Sequence, residues 1–326
     1  VAEYRYYRSV TLRILTALLA LLGLPPAPGF AGEEVAPVML IHNERTLELK
    51  MSAEFDADAR DNILLWVNNI ADSLLQVYGR WPRQHWRIVV EPASGSSSDP
   101  IPWGQVNRGD VDTVRFYILP SASARRLSDS WTSYHELAHL LIPYKGSGDA
   151  WFSEGLASYY QNLLQARAGL LDEQRMWQTL LDGFNRGRQQ SEFDGIPLAN
   201  VSDGMPANRA FMRTYWSGAW YFLAADVQLR QQSGGRFGLD DAHDALNLCC
   251  ANERLSALAI ARKLDSENRI VLFEPLFGQA RQSVTLPDFE SLYASLGINI
   301  TNGIATLQTE GPGATLRMGI TAPKAL

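Results

Sequence analysis

The chain has 326 residues, 46% of them hydrophobic and 20% charged, with nine tryptophans and a formal charge of −6. That length exceeds the usual single domain, and the composition is that of a folded chain with a sizeable core rather than a disordered one. Binding nucleic acid through phosphates would need a basic surface, which an acidic chain with scattered Lys and Arg does not offer, so no nucleic-acid partner is expected.

Arg5, Arg8 and Arg13 precede an apolar run, "ILTALLALLGL" (14–24), followed by "PPAPGFAG". A basic start, a short apolar stretch and small residues are the three parts of a secretory signal peptide, here predicted over residues 1–31 with cleavage after Ala31. Eleven apolar residues are too few for a spanning helix, which needs about 20. Nothing later in the sequence is long and apolar enough for one, so the expected destination is the periplasm or the exterior, without a stable membrane span after processing. An uncleaved anchor is the other reading of the same segment.

From Ala36 to Phe55 the text is strand-like, as in "PVMLIH" and "TLELKM". Residues 58–78 then carry Ile63, Leu64, Val67, Ile70, Leu74 and Val77 at helical spacing. Two strand candidates follow, "WRIVVE" (86–91) and "TVRFYIL" (113–119), separated by a Ser- and Pro-rich loop. This predicts an α/β lobe over 32–129. Beyond it nearly everything reads as helix: 130–142, 150–168, 172–188, 208–233, 240–250, 256–281 with a break near Pro275, and 287–295. The predicted helical lobe is 130–296. Residues 297–326 read as a hairpin around "EGPG" or a tail. There is no internal repeat.

Cys249 and Cys250 are the only cysteines and are adjacent. Neighbouring Cα atoms are about 3.8 Å apart, below the usual disulfide range, so two thiols near a helix end are expected and no stabilising disulfide. His42, His85 and His243 have no partners at ligand spacing and are expected as surface or hydrogen-bonded residues.

The chemistry is concentrated in "SYHELAHLLIPYKGSGDAWFSEGLASYY" (133–160). Asp129 or Ser130 can cap a helix beginning near Trp131, and Pro143 with Gly146 ends it. Four residues of α-helix turn 400°, so His135 and His139 leave one face a turn apart and can share one ion. Glu136 lies a further 100° round, placed to take a proton from water that the ion activates. Trp131, Tyr134, Ala138 and Leu141 flank the histidines on one side, Leu137 and Leu140 on the other, so the helix should be buried on most sides. Catalytic zinc takes three protein ligands and keeps one position open. Glu154, separated from His139 by fourteen residues, is the candidate third ligand: "PYKGSGD" can reverse the chain, Asp149 can cap, and Glu154 then falls in the first turn of an antiparallel helix. The competing reading makes Glu154, Ser158, Gln161 and Gln165 the solvated face of an amphipathic helix.

"HELAH" followed by "WFSEGLASYY" resembles the gluzincin metallopeptidases, in which an H-E-x-x-H helix precedes a helix bearing E-G-x-x-x-Y. The glycyl aminopeptidase family is the nearer match and the aminopeptidase N family the more distant one. "YWSGAWYFLAADVQLRQQSGGRFGLDDAHDAL" (215–246) is similar to the glycyl aminopeptidase pattern downstream, and the likeness covers roughly 58–296. It implies an α+β, thermolysin-like two-lobed domain, with one Zn²⁺ held by His135, His139 and Glu154, Glu136 as general base and Tyr215 as the hydroxyl supporting the oxyanion. Gly218, one turn beyond Tyr215, would let a backbone or substrate approach closely; Tyr159 and Tyr160 are the alternatives to Tyr215. The implied activity is hydrolysis of peptide bonds in a peptide or protein substrate. The alternative is an exported zinc-containing peptide-binding protein without turnover, and a helical domain without metal is the third reading. The aminopeptidase N relatives carry Gly-x-Met-Glu-Asn for the substrate's free amine. Here the corresponding stretch, "PWGQVNRGD", lacks that Glu, which leaves aminopeptidase and endopeptidase both open; Trp103, Gly104 and Gln105 are expected as an edge strand lining the cleft.

Overall fold

The computed structural model describes residues 35–323, so the expected leader lies outside the described residues. A hairpin of β1 (Val38–His42) and β2 (Arg45–Met51) turns through Asn43 and Glu44, both with positive φ. Helix α1 (Ala57–Ser73) is capped by the Asp56 carboxylate, which accepts from the amide of Ala59, and the short α2 (Leu75–Tyr78) continues it. Strands β3 (His85–Pro92), β4 (Trp103–Asn107) and β5 (Asp112–Ile118) complete a five-stranded sheet in the order β1-β2-β3-β5-β4. β2, β3 and β5 run parallel, while β4 is antiparallel to β5 and forms the edge. Phe116 of β5 faces α1, where Trp66 packs edge-on against it at 5.1 Å. Gly104 pairs with Phe116 and so shares this inward face.

Helix α3 (Ala124–Asp129), which the sequence reading missed, leads into α4 (Trp131–Ala138), and a 3-10 turn (His139–Leu141) follows. Ser130 occupies the N-cap of α4 but makes no side-chain cap; its hydroxyl donates to Asp99 instead. α4 and the turn after it are held by bonds from α1 and α2: Trp66 Nε1 donates to Ser133 Oγ, and Tyr78 donates to the Leu141 carbonyl. Helix α5 (Ala150–Arg167) returns against α4. Asp149 stands at its N-cap position with φ +49° and caps nothing; its carboxylate takes Trp151 Nε1 and Arg281. α6 (Glu173–Gln189), α7 (Leu198–Asp203), α8 (Met205–Asn208), α9 (Phe211–Ser233), α10 (Leu239–Cys250), α11 (Ala257–Asn268), α12 (Phe273–Gln282) and α13 (Glu290–Ser295) build the rest of the helical part.

α5 and α9 cross in contact at two glycines. A Cβ on Gly218 would lie 1.9 Å from the Trp151 carbonyl oxygen, and one on Gly155 would lie 2.2 Å from the Gly218 carbonyl carbon. This crossing sets Glu154, beside Gly155, against the helix that carries Tyr215. Gly218→Ala is expected to destabilise the protein by about 1–3 kcal/mol through overpacking, read as a lower denaturant midpoint.

Three sequence expectations need correction. The C-terminal hairpin, β6 (Ile298–Thr301) and β7 (Ile304–Leu307), turns at Asn302-Gly303, both with positive φ. "EGPG" instead opens α14 (Pro312–Thr321), with Pro at the first helical position, where its missing N–H costs nothing. The interruption in 256–281 falls at 269–272, not at Pro275, which is tolerated in the first turn of α12. There the Asp265 carboxylate accepts from the amides of Leu272, Phe273 and Glu274, satisfying that helix start from a distance. Cys249 and Cys250 are joined as a disulfide at the end of α10. It closes a loop too short to restrict the unfolded chain much. Among the described residues no helix is long and apolar enough to cross a membrane.

Candidate metal centre

His135 lies in the last turn of α4, His139 opens the 3-10 turn after it, and Glu154 stands in the first turns of α5. The antiparallel return of α5 brings all three together. Each of the three offers a donor atom within 4.8 Å of the others'. His135 Nε2 is 3.2 Å from Glu154 Oε2, and His139 Nε2 is 3.8 Å from Glu154 Oε1. Atoms bound tetrahedrally at 2.0–2.1 Å from one ion sit about 3.3 Å apart, so this spacing fits a single small cation.

The ring nitrogens facing away are held as well. His135 Nδ1 is hydrogen-bonded with Gln161 Oε1 at 2.8 Å, and His139 Nδ1 with Ser153 Oγ at 2.9 Å. A neutral imidazole that donates from Nδ1 keeps its lone pair on Nε2, which is the tautomer a metal needs. Sequence reasoning missed both partners as partners. Gln161 is two helical turns after Glu154, so it shares that face; the residues read as a solvated polar face, Ser158, Gln161 and Gln165, are in fact buried. The donor set, its orientation and its enclosure fit zinc.

Electrostatics agree with that chemistry. Burial pushes the Glu136 carboxyl up to about 7, with His135 opposing and Glu154 adding to the rise. Burial drives His139 down to about 3. Burial opposes charge on His135 too, yet the bond to Glu154 keeps it above the ordinary imidazole value. Burial alone would raise Glu154, but His139, His135 and the Tyr215 phenol hold it down to about 2. His135, His139 and Glu154 would hold a cation in place of the proton that lies between His135 and Glu154.

Glu136 is 8% exposed and does not join the three donors. Its side chain lies against the edge strand: a Cβ on Gly104 would be 2.6 Å from Glu136 Cγ. Tyr215 stacks on the His135 ring, with centroids 5.8 Å apart and planes 22° apart, and donates to Glu154. The hydroxyls of the two other candidate tyrosines are engaged elsewhere. Tyr159 donates to Asp226 and Tyr160 to Asp240, both fully buried on the other side of α5. Arg108, also missed, donates to the His139 carbonyl and to Asp112, which further takes Arg83 and Arg254. This fastens the end of the histidine helix to the start of β5.

Cys249, Cys250 and Glu267 also lie within 4.8 Å of one another, but the two sulfurs are bonded to each other and are not free donors. His243, expected at the surface or hydrogen-bonded, is fully buried with neither ring nitrogen partnered, and burial pushes it down to about 3. It packs against Tyr160 and Phe222.

Residues 144–219 match the M61 glycyl aminopeptidase family. That segment holds Glu154 and Tyr215 and begins just after the second histidine. With it, the gluzincin resemblance stands. No curated protein sequence matches the chain. The fold is similar to an aminopeptidase N family protein from Idiomarina loihiensis, at 17% identity and a TM-score of 0.59, over 81% of this chain and 49% of that one. It is also similar to a variant M1 zinc metallopeptidase from Deinococcus radiodurans bound to a Tyr-Ser-Ala substrate, at 15% identity and a TM-score of 0.50, over 78% of this chain and 53% of that one. The chain therefore spans about half the length of these two structures.

Proposed function

We propose that the protein is a zinc-dependent peptidase, exported to the periplasm or beyond, with a thermolysin-like arrangement of an α/β lobe (32–129) and a helical lobe (130–296). The observation that carries this is the convergence of His135 Nε2, His139 Nε2 and Glu154 with both outer imidazole nitrogens already bonded. A single Zn²⁺ bound there would polarise the scissile carbonyl and make water acidic enough to attack at neutral pH. Glu136 takes the attacking water's proton and passes it to the leaving amine, a task suited to a buried carboxylate that stays outside the donor set. Tyr215 turns its hydroxyl from Glu154 to the tetrahedral oxyanion. β4, paired on one side only, offers its free backbone groups to an extended peptide, which fixes the scissile bond beside Glu136.

A zinc chelator should abolish peptide cleavage by the purified protein, and added zinc should restore it. Cleavage indifferent to chelator rejects the proposal. Zinc binding with no cleavage of any peptide favours a binding protein without turnover. Gly104→Ala is expected to lower kcat at least tenfold with zinc content unchanged, because the new methyl displaces Glu136; misplacement by about 1 Å is enough for such a loss.

A further inference from the structure

Residues 132–138 of α4 are buried, yet Trp131 at its start is 39% exposed. An indole left open beside a buried helix is an unspent apolar surface. Trp131 is four residues before His135 and eight before His139, so it continues the face that bears the metal donors, and its ring meets the His135 ring edge-on at 5.5 Å. Next to it lies a shallow hollow of about 360 Å³, lined by Ser98, Asp99, Pro100, Arg126, Asp129 and Trp131. The hollow sits where the chain enters both β4 and α4.

Four residues of helix rise about 6 Å and an extended peptide advances about 3.3 Å per residue, so a substrate laid along β4 reaches Trp131 one or two residues from the scissile bond. The charged groups of the hollow narrow the choice of occupant. Asp99 already accepts from Ser130 and from the amide of Ile101, and Asp129 meets Arg125 at 3.8 Å, so the carboxylates are partnered and the indole is what the hollow offers a side chain. Building on the peptidase reading above, we propose that Trp131 forms a specificity subsite for a bulky apolar or aromatic side chain of the substrate, next to or one removed from the cleaved bond.

The test uses the zinc-loaded protein and blocked peptides carrying Phe, Gly or Glu at each position flanking the cleaved bond. Wild type should favour Phe over both Gly and Glu in kcat/KM by about tenfold or more at one position. Trp131→Ala should collapse that ratio with zinc content unchanged, and Trp131→Phe should keep most of it. A ratio that survives Trp131→Ala, or equal losses for Phe and Gly peptides, overturns the proposal and makes Trp131 a mere packing partner of His135. Calorimetric binding of the same peptides to Glu136→Gln, with and without Trp131→Ala, reads the preference without turnover. A protein that cleaves nothing yet prefers Phe through Trp131 sinks the peptidase reading alone, whereas absence of that preference sinks the subsite.

Discussion

Glu136→Gln is expected to lower peptide hydrolysis by at least about 10²–10⁴-fold while leaving zinc bound. Gln keeps the shape that packs on Gly104, so the edge strand and α4 stay where they are. It lacks only the capacity to take a proton. Because Glu136 stands apart from the three donors, metal content by atomic absorption should match wild type. Steady-state rates and metal content on the same preparation make the check. Full activity in the variant rejects the general-base role, and a preparation that loses both zinc and activity would place Glu136 among the ligands.

Glu154→Ala should remove the metal itself. Its carboxylate is the only negative donor of the three, and it also accepts from His135 and Tyr215. Loss of an outer partner of a ligand costs 10–100-fold in metal affinity, so loss of a ligand should cost at least about 100-fold. Two imidazoles alone leave zinc short of the three protein ligands typical of catalytic sites. Binding to the folded state only makes stability rise with ligand concentration, so micromolar zinc should raise the thermal midpoint of wild type and leave that of the variant unmoved. A variant that keeps stoichiometric zinc would show that the site is built from other groups.

The helices were legible where apolar spacing was regular. α6, expected at 172–188, runs from Glu173 to Gln189, and α5, expected at 150–168, from Ala150 to Arg167. The edge strand at Trp103–Asn107 also follows the expectation for Trp103, Gly104 and Gln105. What failed were signals decided by distant groups. The start of α12 is satisfied by Asp265, seven to nine residues upstream, so the proline beside it misled. Asp149 and Ser130 hold cap positions, but each side chain is drawn to a tertiary partner. In "EGPG" a turn-like text is a helix entrance.

At the site, His135, His139 and Glu154 could be placed by helical geometry and a short connecting loop, because each constraint is local. Gln161 and Ser153 could not be assigned, since a polar residue facing a buried imidazole and one facing water have the same spacing. Gly104 was expected near the cleft, but its contact with Glu136 joins residues 32 positions apart, a relation that no local pattern contains.

Anomalous diffraction at the zinc edge, on crystals of the purified protein, is the most direct measurement. One peak is predicted, about 2.0–2.2 Å from Nε2 of His135, Nε2 of His139 and an oxygen of Glu154, with Glu136 beyond bonding distance. No peak after zinc loading, or one whose neighbours exclude Glu154, would contradict the account.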